Sequence, residues 1–364
     1  TTVVSLTLVT AKAQNLAVDT PDMASDGGPK NPYTTPVSFT VYSGSATRIQ
    51  LLVEGQAADP GNVSAGGRTA AAPATLSAGV TSYVSVNLVD NYYNLVTGPN
   101  PFVTAAEATM PEVRVCTTDP YDGDGAANGC PADSSPNWGF APGVQTLSAG
   151  TRSVAVRMAA RCTNLYQEGA CGGAGWRVRA QDTTGLGTNY GLDDVNNVPV
   201  QSTSPVMLQL ILPGETQAQG INNATGKSDA IPDNMTAGAP AGVPIVRAVD
   251  QFWNRVTGET GRNVRVASND PYATAYGDLG LSNGQRTFGS FTPKRRGPYN
   301  SQHAFDVSPN IPALQLWSVD SDAVKLSPQT SANIAVAAAA PTKLQIILPG
   351  QRRDPGSPTG KTGP

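Results

Sequence analysis

The sequence predicts an all-β protein, and three observations lead there. The first is punctuation: 38 glycines and 30 prolines stand among 364 residues, well above the combined share of about 12 % in average proteins. Helix interiors tolerate both residues badly. The second is hydrophobicity, because 39 % of residues are hydrophobic and valines recur in alternating runs, unlike a disordered chain. The third is spacing: short apolar runs are separated by the Gly, Pro, Asn and Asp that turns require. At about 150 residues per domain, the length allows two to three cores.

Internal repetition sets the domain organisation. Arg48-Ile-Gln-Leu-Leu-Val-Glu-Gly55, Met207-Leu-Gln-Leu-Ile-Leu-Pro-Gly214 and Lys343-Leu-Gln-Ile-Ile-Leu-Pro-Gly350 align. So do Val89-Asp-Asn-Tyr-Tyr-Asn-Leu-Val-Thr-Gly98 with Val249-Asp-Gln-Phe-Trp-Asn-Arg-Val-Thr-Gly258, and Val113-Arg-Val-Cys-Thr-Thr-Asp-Pro-Tyr121 with Val264-Arg-Val-Ala-Ser-Asn-Asp-Pro-Tyr272. The anchors keep their order, with 41 residues from Ile49 to Asp90 and 42 from Leu208 to Asp250. The chain therefore divides into 1–47, the C-terminal part of a preceding unit; 48–206 and 207–342, two complete units; and 343–364, the start of a further unit. That is the layout of a piece of a longer tandem array.

Each unit reads as about seven strands, expected in the second at 207–212, 243–249, 262–268, 285–291, 302–307, 313–319 and 332–337. The first is an apolar run stopped by Pro213-Gly214, and the second ends at the turn residue Asp250. In the third, Val264 and Val266 share one face while Arg265 points the other way, as Val84, Val86 and Leu88 do against Ser85 and Asn87 in the first unit. This is the two-residue period of a half-buried strand. The fifth alternates His303, Phe305 and Val307. Seven strands in a unit of this size favour a two-sheet, immunoglobulin-like β-sandwich, with a closed barrel as the next architecture.

Charge and composition exclude several classes. The net charge is −3, and the longest basic cluster is Lys294-Arg295-Arg296. Nucleic-acid binding through counterion release needs many more clustered cations. The longest alkyl run, Ile334 to Ala340, has seven residues, against roughly 20 for a membrane span. His303 is the single histidine, which removes most acid–base and metal–imidazole chemistry. No catalytic residues are expected, and no cofactor is required.

The first unit is longer than the second, 159 residues against 136 from anchor to anchor. The extra length is concentrated around Cys116, Cys130, Cys162 and Cys171. Four cysteines allow three pairings. Cys116–Cys130 and Cys162–Cys171 are favoured because each closes a short local loop, and disulfides would place the chain in an oxidising compartment. The same region holds Asp119, Asp122 and Asp124 on a Gly-rich loop, carboxylates that can wrap calcium, although the twelve-residue calcium-loop pattern is missing. A solvated Asp-Gly turn is the plainer reading.

The aromatic pairs Tyr92-Tyr93 and Phe252-Trp253 recur at one position, between an Asp and an Asn that suit a turn. Three uses stay open for them: folding onto their own core, packing against a neighbouring unit or subunit, or stacking on sugar rings. The junctions Val200-Gln-Ser-Thr-Ser-Pro205 and Val336-Ala-Ala-Ala-Ala-Pro341 are short and proline-bearing, so neighbouring units should sit at restricted angles.

The run from Thr236-Ala-Gly through Val249-Asp-Gln-Phe-Trp-Asn, Val264-Arg-Val-Ala-Ser-Asn-Asp-Pro, Phe288, Phe305 and Val319-Asp320 resembles bacterial immunoglobulin-like tandem repeats of long secreted and cell-surface proteins. The resemblance covers both complete units and implies display, spacing or adhesion. The expected function is therefore an extracellular or cell-surface structural protein, a tandem array building a fibre, filament or coat from copies of itself or neighbouring units. The alternatives are an adhesin stalk carrying a tip away from the cell and glycan-binding accessory modules of a secreted enzyme.

Overall fold

The computed structural model describes residues 5–16, 37–69, 72–98, 110–122, 143–163, 171, 173–184, 189–300 and 310–363. Cys130, Asp124, His303 and the strand expected at 302–307 lie outside the described residues. Regular structure among the described residues is strand, apart from one 3-10 turn at Val63–Ala65. The protein is all-β.

In the opening segment β1 (Ala13–Leu16) pairs antiparallel with β2 (Val37–Thr40). The first repeat then runs through β3 (Arg48–Leu52), β4 (Leu76–Ser77), β5 (Ser82–Val89), β6 (Glu112–Thr117), β7 (Gln145–Thr146), β8 (Thr151–Val156), β9 (Trp176–Asp182), β10 (Leu192–Val198) and β11 (Val200–Gln201). It forms one sheet of order β3-β5-β8 and another of order β10-β9-β6-β7, while β11 runs parallel to β4. The second repeat runs through β12 (Met207–Ile211), β13 (Thr216–Gln217), β14 (Lys227–Asp229), β15 (Met235–Thr236), β16 (Ile245–Val249), β17 (Asn263–Ser268), β18 (Leu279–Gly280), β19 (Gln285–Thr287), β20 (Tyr299–Asn300), β21 (Asn310–Ile311), β22 (Leu316–Asp320) and β23 (Val336–Ala337). Its sheets have the orders β12-β16-β19 and β18-β17-β22, with β15 parallel to β23. The central pairings are shared, β3-β5-β8 matching β12-β16-β19 and β7-β6-β9 matching β18-β17-β22, while β10 has no counterpart strand among the described residues of the second repeat. A last hairpin joins β24 (Arg352–Arg353) to β25 (Lys361–Thr362).

Strand alternation explains the cores. On β5, Val84, Val86 and Leu88 face inward, and the antiparallel register sets Leu88 opposite Ile49 and Val86 opposite Leu51. Val113, Val115, Val178 and Ala180 from the second sheet close the same core. The second repeat repeats this with Leu208 opposite Ala248 and Leu210 opposite Val246, packed on Val264, Val266 and Leu316. Each fully buried Leu or Val contributes roughly 1.5–3 kcal/mol relative to exposure.

The outward face of the β3-β5-β8 sheet is also covered. Gln50 is fully buried, its Nε2 donating to the Gly66 and Gly67 carbonyls at 3.1 and 2.8 Å. Gln209 does the same to Thr225 and Gly226 at 3.2 and 2.8 Å. Expected strand bounds shorten in places. The strand expected from 243 begins at Ile245, because Pro244 has no N–H to donate to a ladder. The strand expected over 285–291 is regular only over Gln285–Thr287, although the Phe288 and Phe291 amides still bond the Pro244 and Gly242 carbonyls at 2.9 Å.

Candidate inter-repeat interface

The recurring Asp-x-x-x-Asn segments form the turns that their composition suggests. The buried Asp250 carboxylate accepts from the backbone N–H groups of Phe252 and Asn254 at 2.9 and 3.0 Å. Its other oxygen accepts from Thr203 N–H at 3.0 Å. Burial pushes the Asp250 pKa up, opposed by the hydrogen bonds from Thr203, Asn254 and Phe252. Trp253 sits in the left-handed region at φ 63°, as Tyr93 does at 62°. That backbone path sends consecutive aromatic rings to different places.

Phe252 belongs to the core of the first repeat, where it is 1 % exposed. Its ring lies over Gly79, where an added Cβ would stand 1.8 Å from the ring, and the Arg157 guanidinium carbon lies 5.4 Å from the ring centroid. Trp253 instead packs with Ala218, Ile221 and Val249 of its own repeat, with Tyr121 of the first repeat alongside. Its Nε1 donates to the Asn223 carbonyl at 3.0 Å. Both rings are buried, Phe252 at 1 % and Trp253 at 6 % exposure, so of the three uses the structure places them in packing. The pair divides between the neighbouring repeat and its own.

Asn254 fixes the register. Its Nδ2 donates to the Ala159 carbonyl and its Oδ1 accepts from Arg161 N–H, both at 2.8 Å. Around it, Gly220 N–H donates to the Phe252 carbonyl at 2.6 Å, and Gln219 Nε2 donates to the Arg161 carbonyl at 2.8 Å. The Arg161 guanidinium returns the contact, donating to the Arg255 carbonyl at 3.3 Å and to Thr257 Oγ1 at 3.4 Å.

The first junction has the same frame. Asn94 Nδ2 donates to the Val9 carbonyl at 2.8 Å, and Ala11 N–H donates to Asn94 Oδ1 at 2.7 Å. Asp90 accepts from Tyr92 and Asn94 N–H at 2.8 and 2.9 Å and from Gly44 N–H at 2.8 Å. Gly61 N–H donates to the Tyr92 carbonyl at 2.7 Å, as Gly220 does to Phe252. Tyr92, however, is 42 % exposed and lines a cleft of about 260 Å³ with Leu8, Val9, Val41 and Tyr42. Tyr93 stays on its own repeat, with the Arg48 guanidinium carbon 5.1 Å from its centroid and Arg48 donating to its hydroxyl at 3.1 Å.

Asp119 organises the receiving strip. Its carboxylate accepts from Tyr121 N–H at 3.0 Å and from Ala159 and Ala160 N–H at 2.7 and 2.9 Å. Asp270 takes Tyr272, Lys294 and Arg295 N–H at 3.0, 2.7 and 2.9 Å. Asp119 is thus an amide anchor repeated in both units, and Asp122 receives the Thr117 hydroxyl. Their oxygens serve the fold where the sequence allows a calcium site; among the described residues no group of three metal-ligating side chains forms. Cys162 and Cys171 form a disulfide with Cα atoms 5.6 Å apart, directly after Arg161 in the strip. Cys116 is also disulfide-bonded.

Sequence reasoning pointed to the aromatic pairs and missed the asparagine that locks each junction and the buried Gln50 and Gln209. The signal was present in the repeated anchors: Asn ends both Asp-x-x-x-Asn turns, and Gln is third in all three openings. What one sequence does not reveal is that the partner of each Asn is backbone, which leaves no side-chain pattern.

These features define an all-β protein of several small sheets in which a hydrogen-bonded Asp-Asn joint recurs. No family model and no curated protein matches the chain. Among solved structures, native E. coli alpha-2-macroglobulin is similar at 12 % identity and a TM-score of 0.30, over 84 % of this chain and 18 % of that one. Domains 5-6 of the S-layer protein SbsC are similar at 13 % identity and a TM-score of 0.18, over 74 % of this chain and 96 % of that one. Domains 4-9 of SbsC match at 12 % identity and a TM-score of 0.17, over 84 % and 33 %. At such low TM-scores these likenesses assign neither family nor function. No helix among the described residues is long and apolar enough to cross a membrane.

Proposed function

We propose that the chain is a non-catalytic structural protein of an extracellular fibre or surface coat, built from immunoglobulin-like repeats in series. The observation that carries this reading is the joint built twice, with Asn94 and Asn254 each holding two backbone groups of the preceding unit. A flexible string of beads has no use for a register-fixing contact, whereas a rod under load does. The five residues Ser202–Val206 between β11 and β12 leave little slack. Disulfides at Cys116 and between Cys162 and Cys171 suit an oxidising, extracellular compartment. Head-to-tail contacts that do not close on themselves extend into filaments.

The test is electron microscopy of native material carrying this sequence. Regular filaments or a continuous coat, with a spacing set by the repeat, are the expected result. Single rods ending in a separate head domain would transfer the reading to an adhesin stalk. Compact particles with repeats at random angles would overturn it.

A further inference from the structure

The segment after residue 342 reproduces the opening of a repeat in its local hydrogen bonds. Asp354 N–H donates to the Gly360 carbonyl at 2.7 Å, as Asp59 does to Gly67 and Ala218 to Gly226 at 2.7 and 2.9 Å. Lys361 Nζ donates to Gln351 at 3.1 Å, in the place of the buried Lys227–Glu215 pair. Yet Leu344, Ile346 and Leu348 are 100, 75 and 54 % exposed, whereas their counterparts Leu208, Leu210 and Leu212 are buried. The stretch 343–348 pairs with no strand among the described residues.

The second repeat also carries a copy of the receiving strip. Gly79 N–H bonds the Met158 carbonyl and Gly238 N–H bonds that of Pro293, both at 2.7 Å. Cys162 and Val200 exchange two backbone bonds, as do Gly297 and Val336. This register makes Lys294 and Arg296 the counterparts of Ala159 and Arg161, the residues that Asn254 holds. Gly356 lies on this strip as Gly220 lies on Ala160, an added Cβ meeting Lys294 at 3.2 Å. Between strip and segment opens a cleft of about 690 Å³. Its lining includes Lys343, Gln345, Ser357 and Gly360, the positional counterparts of Met207, Gln209, Ile221 and Gly226 around Trp253.

We infer that this cleft is the seat of a peptide of defined chemistry: a valine-rich strand that runs into an Asp-x-aromatic-aromatic-Asn turn, supplied by the next repeat in series. The strand pairs with 343–347 as β16 pairs with β12. The second aromatic ring covers Gly360, and the Asn takes the Lys294 carbonyl and the Arg296 N–H. The inference rests on the serial reading of the function.

The test is titration of the intact chain with a labelled synthetic peptide of residues 243–258. Saturable one-to-one binding is expected, with slowed amide hydrogen exchange at residues 344–348 and at Arg296 and Gly356. A peptide carrying Asn254→Ala should bind at least about tenfold more weakly, the equivalent of roughly 1.4 kcal/mol. Leu344→Asp in the chain should abolish binding. Absence of binding, or binding indifferent to Asn254→Ala, overturns the inference. So does a chain that dimerises with protection of 344–348, because a second copy would then be the occupant. Peptide binding without filaments would fail the functional reading alone, and filaments without peptide binding would fail this one alone.

Discussion

At the second junction Phe252 is 1 % exposed inside the core of the first repeat, while Tyr92, at the same position of the first junction, is 42 % exposed. The hydrogen bonds around the two follow one pattern, with Asn94 and Asn254 each holding one carbonyl and one N–H at 2.7–2.8 Å. The comparison separates two roles. The Asp-Asn frame sets which residues meet and at what register, because carboxylate and carboxamide bonds to backbone are directional. The aromatic residue sets how strongly the repeats are coupled, because buried apolar area stabilises more than a hydrogen bond exchanged with water. Tyr carries a hydroxyl that favours a wet edge, whereas Phe can be swallowed whole.

The comparison breaks most sharply at Phe252. Phe252→Ala should cost about 3–5 kcal/mol and uncouple the two repeats, read as two separated unfolding transitions in urea. Tyr92→Ala should cost under about 1 kcal/mol; equal losses at the two sites would dissolve the distinction. Gly79→Ala should act like Phe252→Ala by displacing the ring, and the double variant should be less than additive.

Next in size is the disulfide that only the second junction carries beside its receiving strip. Opening Cys162–Cys171 with Cys162→Ser and Cys171→Ser together should lower stability by about 2–3 kcal/mol. Hydrogen exchange at Arg161 should quicken, while Ala11 stays unchanged. Quickening at both would mean the two strips are not independent.

The two asparagines sharpen the shared part. Asn254→Ala and Asn94→Ala each remove two inter-repeat hydrogen bonds and should cost about 1–3 kcal/mol. The expected signature is similar loss at both sites despite the unequal aromatic burial. A loss at Asn254 alone would make the frame subordinate to Phe252.

The smallest effect is electrostatic. Burial raises the Asp250 pKa above that of the unfolded chain, so the folded state keeps the proton to higher pH. The corresponding stability is fully present below the ordinary carboxylate value and is lost as pH rises through the raised one. Asp250→Asn should flatten that slope in denaturation curves measured between pH 3 and 7, values chosen around the usual carboxylate pKa of about 3.9. An unchanged slope would show that Asp250 is not its source.

Much of the fold was legible because the signals are local. Valine alternation placed β5 and β17, and the aligned apolar openings placed β3 and β12. The strand expected from 243 was too long because hydropathy carries no count of missing proline donors. The aromatic pairs were legible as important, but not as divided. Their separation depends on the left-handed backbone at Trp253 and Tyr93, which composition does not encode. Asp119 stands out in the sequence for the charge in its neighbourhood, whereas its role comes from amides 40 residues away.

The all-β class and the turn chemistry at Asp90–Asn94 and Asp250–Asn254 are written in local sequence. Those follow from side-chain alternation and from residues whose conformational preferences are intrinsic. Folding alone brings Asn254 onto the backbone of Ala159 and Arg161 and seats Phe252 in a core to which it is distant in sequence. Each of these is a relation between segments far apart along the chain, and backbone partners look alike in every sequence until folding brings them together.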